Sequence, residues 1–170
     1  FIATNLMNSF VETKVLKTEE VQDFFQSIRT ITSQLITDRI NLEESDFIGK
    51  YGHLRPGTYD IRTPTYRENF SAYFGKSLTN NHSNTVLEFD RSKISEKIVA
   101  SGLLDDFGIS VYDLFDFVSG SIIAREEIKF WYSQNISMVL DLITEYASQN
   151  GFTVEESAHF KIGRDRKSVV

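Results

Sequence analysis

The longest helical pattern in the sequence runs from about Ser121 to Asn150 and dominates what the chain can fold into. Gly151 follows it, in the position beyond a helix C-terminus that glycine favours. Side chains at alternating three- and four-residue steps should share one buried face of this helix. They are Arg125, Ile128, Tyr132, Asn135, Val139, Leu142 and Tyr146. Because burying an unpaired guanidinium is prohibitive, Arg125 should either pair with an internal carboxylate or point into a polar cleft.

Further helical patterns favour an all-α fold. One helix is predicted to begin at Thr18, whose hydroxyl should cap it, and to bury an apolar stripe made of Val21, Phe24, Phe25, Ile28, Ile31, Leu35 and Ile36. Shorter helices are predicted at about 45–51 and 68–74, after the caps Asp90 and Ser110, and at the capping box Thr153–Glu156. In the helix after Asp90, the residues that should face inward are Ile94, Ile98 and Val99, and Gly102 should lie beyond its C-terminus. Gly120 is expected to break or kink the helix that begins after Ser110.

Strand signals are confined to Thr85–Phe89, which follows an Asn- and Ser-rich loop at 75–85. An isolated strand cannot form a sheet. We therefore expect residues 1–170 to be a single, mainly helical domain with at most one or two short strands.

Both prolines of the chain, Pro56 and Pro64, fall in the segment 50–67. The same segment has four basic residues and one acidic residue, Asp60, although the net charge of the chain is −6. The basic residues are Lys50, Arg55, Arg62 and Arg67.

Proline and glycine predict a turn at Arg55–Thr58, with Pro56 second and Gly57 third. A loop of fixed shape could hold polar side chains for a small polar or anionic ligand. These candidates are His53, Arg55, Tyr59, Asp60 and Arg62. The alternative is a surface turn whose arginines pair with acids elsewhere in the chain.

Composition excludes several classes of function. An acidic chain with one local basic segment argues against nucleic acid as the main partner. The absence of cysteine excludes disulfides, thiolate metal sites and cysteine nucleophiles. No apolar run approaches the roughly 20 residues of a membrane span. His/Asp/Glu spacing suggests no metal centre, and we expect a cytoplasmic protein.

Two blocks resemble the phosphoenolpyruvate synthase and pyruvate phosphate dikinase-like phosphotransferases, closest to the subgroup with rifampin phosphotransferase and the glutamine kinases. The first is Gly52-His53-Leu54-Arg55-Pro56-Gly57-Thr58-Tyr59-Asp60-Ile61, followed by Thr63-Pro64-x-Tyr66. The second is Ala124-Arg125-Glu126-x-x-Lys129-Phe130, running on to Asn135-Ile136-Ser137.

The resemblance implies a three-part enzyme with an ATP-grasp module, a phospho-histidine domain and an acceptor-binding region between them. Only the third part resembles this sequence. It implies that ATP and Mg bind outside these residues, that this piece alone is inactive, and that the chain is an excerpt. The uncapped apolar start at Phe1–Val11 and the basic end at 163–168 suggest the same.

Roles for the site residues follow from the resemblance. It implies that His53, Arg55 and Arg125 face the acceptor or the phosphoryl group, with Arg55 and Arg125 lining one shared, positively charged cavity. Tyr59, Asp60 and Arg62 would orient the acceptor or brace the loop, Lys129 could add a second charge, and Asn135 lies on the same helix face as Arg125. His53 could instead stabilise the turn, and Lys129 could belong to a solvated face.

The competing hypothesis is a non-catalytic helical module whose Arg-rich loop docks an acidic partner protein. His82 and His159 are left out of the site, since a lone histidine in such surroundings is more often surface or hydrogen-bonded structure than a ligand.

Overall fold

A computed structural model describes residues 2–75 and 89–161. Within those ranges the chain forms eight α-helices and no strand, which confirms the all-α fold. The helices are α1 Ile2–Glu12, α2 Thr18–Ser27, α3 Ile31–Asn41, α4 Glu44–Tyr51, α5 Phe70–Phe74, α6 Arg91–Ala100, α7 Val111–Gln149 and α8 Val154–Ser157, with a single 3-10 turn at Asp105–Phe107. The predictions for the loop at 75–85, the strand at 85–89, His82 and the basic segment 163–168 fall wholly or mainly outside the described residues.

Although α7 has 39 residues, no helix in the described ranges is both long enough and apolar enough to cross a membrane.

The chain divides into two compact units. Unit 1 is Phe1–Ile40 with Thr79–Phe130, and unit 2 is Asn41–Leu78 with Trp131–Val170. The single domain expected from the sequence stays a prediction.

Unit 1 is built on an apolar core from α1, α2, α6 and the first turns of α7. Phe24 and Phe115 lie at its centre, with ring centroids 5.1 Å apart, and Phe89 contacts both rings. Ile94 and Ile98 are buried as predicted, whereas Val99 is 62% exposed, so that part of the prediction was wrong.

The helix predicted to begin at Thr18 is interrupted after Ser27, so its continuous form was wrong. Ile28 is extended, with ψ at 117°, and α3 begins three residues later. The Ser33 hydroxyl accepts from the backbone N–H of Thr30 and donates to its carbonyl. Such local side-chain bonds compete with a continuing helix and start a new one. In α3 the predicted core residue Ile36 is 44% exposed.

The caps predicted at Asp90, Ser110 and Thr153 are confirmed, whereas the cap predicted at Thr18 was wrong, because Lys17 occupies the N-cap position of α2. Asp90 accepts from the backbone N–H of Lys93, and Thr153 and Glu156 form a reciprocal capping box. Gly102 and Gly151 follow α6 and α7 with φ of 68° and 78°, a region that favours glycine.

The long helix α7 differs from its prediction in two ways. It passes through Gly120 without a break. The face expected to be buried is exposed: Ile128 67%, Tyr132 55%, Val139 45%, Leu142 59% and Tyr146 61%. Buried instead are Val111, Leu114, Phe115 and Val118 in unit 1, and Ser137 and Ala147 in unit 2. Because α7 carries apolar residues on more than one face, its periodicity could not indicate which face packs.

Unit 2 has its own core, which is aromatic. Phe47 and Tyr51 on α4 are fully buried, with ring centroids 4.9 Å apart. Phe74 on α5 packs edge-on against Phe47 and Tyr66. This cluster anchors both ends of the segment between α4 and α5, which carries most of the candidate site residues.

We expect Phe115→Ala to lower the free energy of unfolding by about 3–5 kcal/mol, since it deletes a buried ring and leaves a cavity. Phe117→Ala, two residues along α7, is the matched control: this ring is 55% exposed, and its loss should cost about 0.5 kcal/mol or less. Urea denaturation of both variants provides the measurement. Equal losses would show that the face of α7 packed into unit 1 is wrongly assigned.

Candidate functional site

The loop between α4 and α5 is closed at its base by backbone hydrogen bonds. The N–H of Tyr66 donates to the carbonyl of Leu54 at 2.8 Å, and that of Arg67 donates to Gly52 at 3.0 Å. The hydrogen-bonded turns run from Gly57 to Asp60 and on to Thr63, so the first of them begins two residues later than the turn predicted at Arg55–Thr58. The loop therefore has a defined shape, as the pair of prolines suggested.

Arg55 joins this loop to α7. Its side chain is only 4% exposed and donates to the carbonyl of Thr63 at 3.3 Å, to the Ser137 hydroxyl at 3.0 Å and to the Asp141 carboxylate at 3.1 Å. The Nε–H is buried and has no acceptor among the described residues. Pairing with an acid elsewhere in the chain was the structural alternative for this arginine, and the geometry shows that pair.

Asp60 and Arg62 form a local fork at the tip of the loop. The Nε and Nη2 of Arg62 donate to the two carboxylate oxygens of Asp60 at 2.9 and 3.0 Å, and its backbone N–H also donates to Asp60. The Arg62 side chain, and then its backbone N–H, hold the pKa of Asp60 below its ordinary value. The charge of Arg62 is thus already matched. Tyr59, beside the pair, is 71% exposed.

Thr65 and Glu68 make a reciprocal capping pair after Pro64. The Glu68 carboxylate accepts from the backbone N–H of Thr65 at 2.7 Å and from its hydroxyl at 2.9 Å. The backbone bond, followed by the hydroxyl bond and the charge of Arg55, holds the pKa of Glu68 below its ordinary value against a smaller opposing effect of burial. Glu68 therefore stays ionised at neutral pH.

A polar cleft of about 560 Å³ opens beside His53 in unit 2. We call it the His53 cleft. Its polar lining includes His53, Arg67, Glu68, Gln134, Asn135 and Asp141. His53 Nε2 lies 3.4 Å from the Ser133 hydroxyl on α7. Two sequence-predicted residues, His53 and Asn135, thus share one cleft although 82 positions separate them in the sequence.

A second cleft, of about 570 Å³, lies in the same unit, and we call it the Arg62 cleft. Glu68 and Asp141 line both clefts. The other charged residues of the Arg62 cleft are Arg55, Arg62 and Glu145, and neutral hydrogen-bonding side chains complete its wall.

The remaining two predicted residues, Arg125 and Lys129, belong to unit 1. Arg125 is 65% exposed and donates to Glu126 at 2.7 Å, and Lys129 lies 3.4 Å from the same carboxylate. Arg125 therefore follows neither of the alternatives predicted for it, because it pairs with a neighbouring acid on an exposed part of the helix. Arg55 and Arg125 each have a carboxylate partner of their own, and the shared receptor expected from the sequence stays a prediction.

Sequence reasoning missed Ser137, Asp141, Thr65, Arg67 and Glu68 as site residues. Signals for some of them exist. Thr65-x-x-Glu68 has the same capping-box spacing as Thr153-x-x-Glu156. Ser137 and Asp141 lie four residues apart, on one side of a helix. Nothing local links either residue to Arg55.

Comparison with known proteins identifies no relative: no protein-family model, curated protein or solved structure matches the chain. The family resemblance described above stays a prediction. Within residues 2–75 and 89–161, no three His, Asp or Glu side chains gather in an arrangement that could hold a metal ion.

We expect Asp141→Ala to destabilise the chain more than Arg55→Met. Removing Asp141 leaves a buried guanidinium without its carboxylate, which costs about 3 kcal/mol. Removing Arg55 leaves Asp141, whose side chain is 61% exposed, so the loss is limited to about 1–2 kcal/mol from hydrogen bonds. Chemical denaturation of both variants measures the difference, and the reverse order would contradict the assigned burial.

The stabilisation by Glu68 should depend on pH. Because its pKa is lower in the folded chain than in the unfolded chain, the stabilisation is present above the unfolded value and is lost as pH falls through the folded value. Glu68→Gln should therefore cost more stability at about pH 7 than at about pH 3. Urea unfolding of wild type and variant at both pH values is the measurement. A difference independent of pH would show that Glu68 acts through packing alone.

Proposed function

We propose that unit 2 binds the phosphate acceptor of an ATP-dependent phosphotransferase that works through a phospho-histidine on another domain. The observation that carries this proposal is the meeting of His53 and Asn135, from two separate family-like blocks, at one polar cleft. In this proposal an ATP-grasp domain and a phospho-histidine domain of the same enzyme supply the binding of ATP and Mg. The chain alone has no kinase activity, and the enzyme works in the cytoplasm.

Phosphoryl transfer needs alignment and charge neutralisation more than covalent chemistry from the surrounding protein. The His53 cleft offers groups suited to both tasks. His53 can donate to the acceptor or take its proton near neutral pH. Arg67 brings a guanidinium to the same cleft and can fork onto a phosphoryl or carboxylate group, while the Asn135 amide can orient the acceptor.

Pairing of the loop cations narrows the class of acceptor. Arg55 is bound to Asp141, and Arg62 is bound to Asp60. Two of the three arginines in the loop are therefore neutralised. A polar acceptor fits the clefts better than a strongly anionic one.

The alternative function, a module that docks an acidic partner protein, requires the arginines of the loop to be available at the surface. Arg55 is buried, and the Arg62 guanidinium already makes a bidentate contact with the Asp60 carboxylate. The same contacts that support a small-molecule cleft therefore weaken this alternative.

We expect Arg67→Gln in the full-length enzyme to slow transfer to the acceptor by roughly tenfold or more, since a charge-assisted contact is lost. ATP-dependent phosphorylation of the carrier histidine should persist. The test follows labelled phosphate from ATP and measures how much stays on the protein and how much reaches the small-molecule fraction. Glutamine preserves the backbone bond from residue 67 to Gly52, so the loop keeps its closure.

The matched control is Arg29→Gln, which removes an exposed arginine from unit 1. It should leave both steps unchanged. If Arg67→Gln transfers phosphate as well as wild type does, the His53 cleft is not the acceptor site. Loss of histidine phosphorylation in the same variant would mean that the loop serves the ATP-dependent step instead.

A further inference from the structure

A third concavity in unit 2 differs from the two polar clefts because its walls are apolar. Its volume is about 570 Å³, and we call it the Phe152 groove. The apolar wall comes from the last turns of α7 and from residues on either side of α8, chiefly Leu142, Tyr146, Phe152 and Phe160. Among the described residues, none of those that line it also lines the His53 cleft or the Arg62 cleft. A volume of this size with an apolar lining is typical of sites for small molecules.

Two phenylalanines give the Phe152 groove a wall of fixed shape. The rings of Phe152 and Phe160 meet edge-on, with their centroids 5.3 Å apart. The N–H of Phe152 donates to the carbonyl of Ala147 at 2.9 Å, which ties this wall to the end of α7, where Ala147 is buried. The groove is therefore formed in the folded chain itself, so a ligand binding there has little ordering of the chain to induce.

The apolar side chains of the groove are open to solvent. Leu142, Tyr146 and Phe152 each expose nearly half of their surface or more. Contiguous exposed apolar surface marks binding sites, and in this groove the surface is also concave. A ligand with an apolar body would cover it, and the removal of apolar area from water favours binding.

The charge of the groove comes from Lys161. Within the described part of the chain, Lys161 is the one charged residue in the lining, and no acid pairs with it. The acids on the same part of α7, Asp141 and Glu145, line the Arg62 cleft instead. The end of α7 thus places its carboxylates at a polar cleft and its apolar side chains at the Phe152 groove.

The acids of α8 are also engaged away from Lys161. Glu156 is held in the capping box at the start of α8. The pKa of Arg62 is raised mainly by Asp60 and more weakly by Glu155, so the Glu155 carboxylate lies within the field of that arginine. The amine in the groove is therefore left to attract an anion from solution.

We propose that the Phe152 groove binds a small amphiphilic anion, namely a carboxylate that carries an aromatic ring. The ring packs against Leu142, Tyr146 and the two phenylalanines, where edge-to-face contacts are available. The carboxylate lies beside the Lys161 amine. Binding here does not depend on the proposed function, because this groove and the His53 cleft are lined by different residues.

The test compares three probes that share a phenyl ring and a butyl chain and differ in the charge of the end group: phenylbutanoate, phenylbutanol and phenylbutylamine. Binding to the chain is measured by NMR titration. Phenylbutanoate should bind about threefold more tightly than phenylbutanol, as expected for an exposed ion pair, and phenylbutylamine should bind most weakly. Added salt should reduce the advantage of the anion over the alcohol.

Lys161→Gln tests the charge of the groove. It should remove the threefold preference for phenylbutanoate and leave the affinity for phenylbutanol unchanged. The matched control is Lys93→Gln, which removes an exposed lysine from α6 in unit 1 and should change neither affinity.

Leu142→Gln tests the apolar wall. It should lower the affinity for all three probes by about tenfold, because each of them loses the same apolar contact. The control is Ile128→Gln on the unit 1 part of α7, which should lower none of them. Leu142 is 59% exposed and Ile128 67% exposed, so circular dichroism is expected to show intact helices in both variants.

Three results would overturn the assignment of this groove: no measurable binding of phenylbutanoate, binding of phenylbutylamine as tight as that of phenylbutanoate, or equal losses in the Leu142 and Ile128 variants. A fourth comes from the chain without probe. If the NMR signals of Leu142 and Phe152 shift as the protein concentration rises, a second copy covers the groove and the proposed ligand is wrong.

Discussion

The contact of the Arg55 guanidinium with α7 is the interaction on which the arrangement of unit 2 depends. It joins a loop to a helix 86 residues away in the sequence, through Ser137 and Asp141. Asp141 then serves as a wall of both polar clefts. Together with the contact between His53 and Ser133, the contact of Arg55 with α7 fixes His53 relative to Asn135. A residue that looks like a ligand-binding arginine in the sequence thus acts first as the support of the site.

Burial of that arginine also changes the electrostatic character of the loop. A segment with four cations and one acid suggests an open, positively charged receptor. In the folded chain Arg55 is matched by Asp141 and Arg62 by Asp60, while Glu68 and Glu145 are brought alongside. The net charge around the loop therefore depends on which acidic residues the fold brings close to it. The composition of the loop segment alone does not determine that net charge.

Much of the secondary structure could be predicted, because it depends on short-range signals. The caps at Asp90 and Thr153 and the glycines after α6 and α7 require only neighbouring residues. The break before α3 was missed because the Ser33 hydroxyl competes locally with a continuous helix. The packed face of α7 was missed because unit 2 buries its small residues, Ser137 and Ala147. Of the candidate site, the sequence predicted a loop of fixed shape and named His53 and Asn135, whereas the partner of Arg55 depends on long-range packing that no spacing encodes.

The exposed stripe on the unit 2 part of α7 has a consequence for how the chain behaves in water. Tyr132, Met138, Val139, Leu142 and Tyr146 each expose nearly half of their surface or more. Exposed apolar stripes of this kind are uncommon on isolated domains. Salts that are strongly excluded from protein surfaces favour the burial of apolar surface. The stripe on α7 is apolar surface that stays exposed to solvent in the folded chain. Solubility, more than unfolding, is therefore the property of this chain that such salts control first.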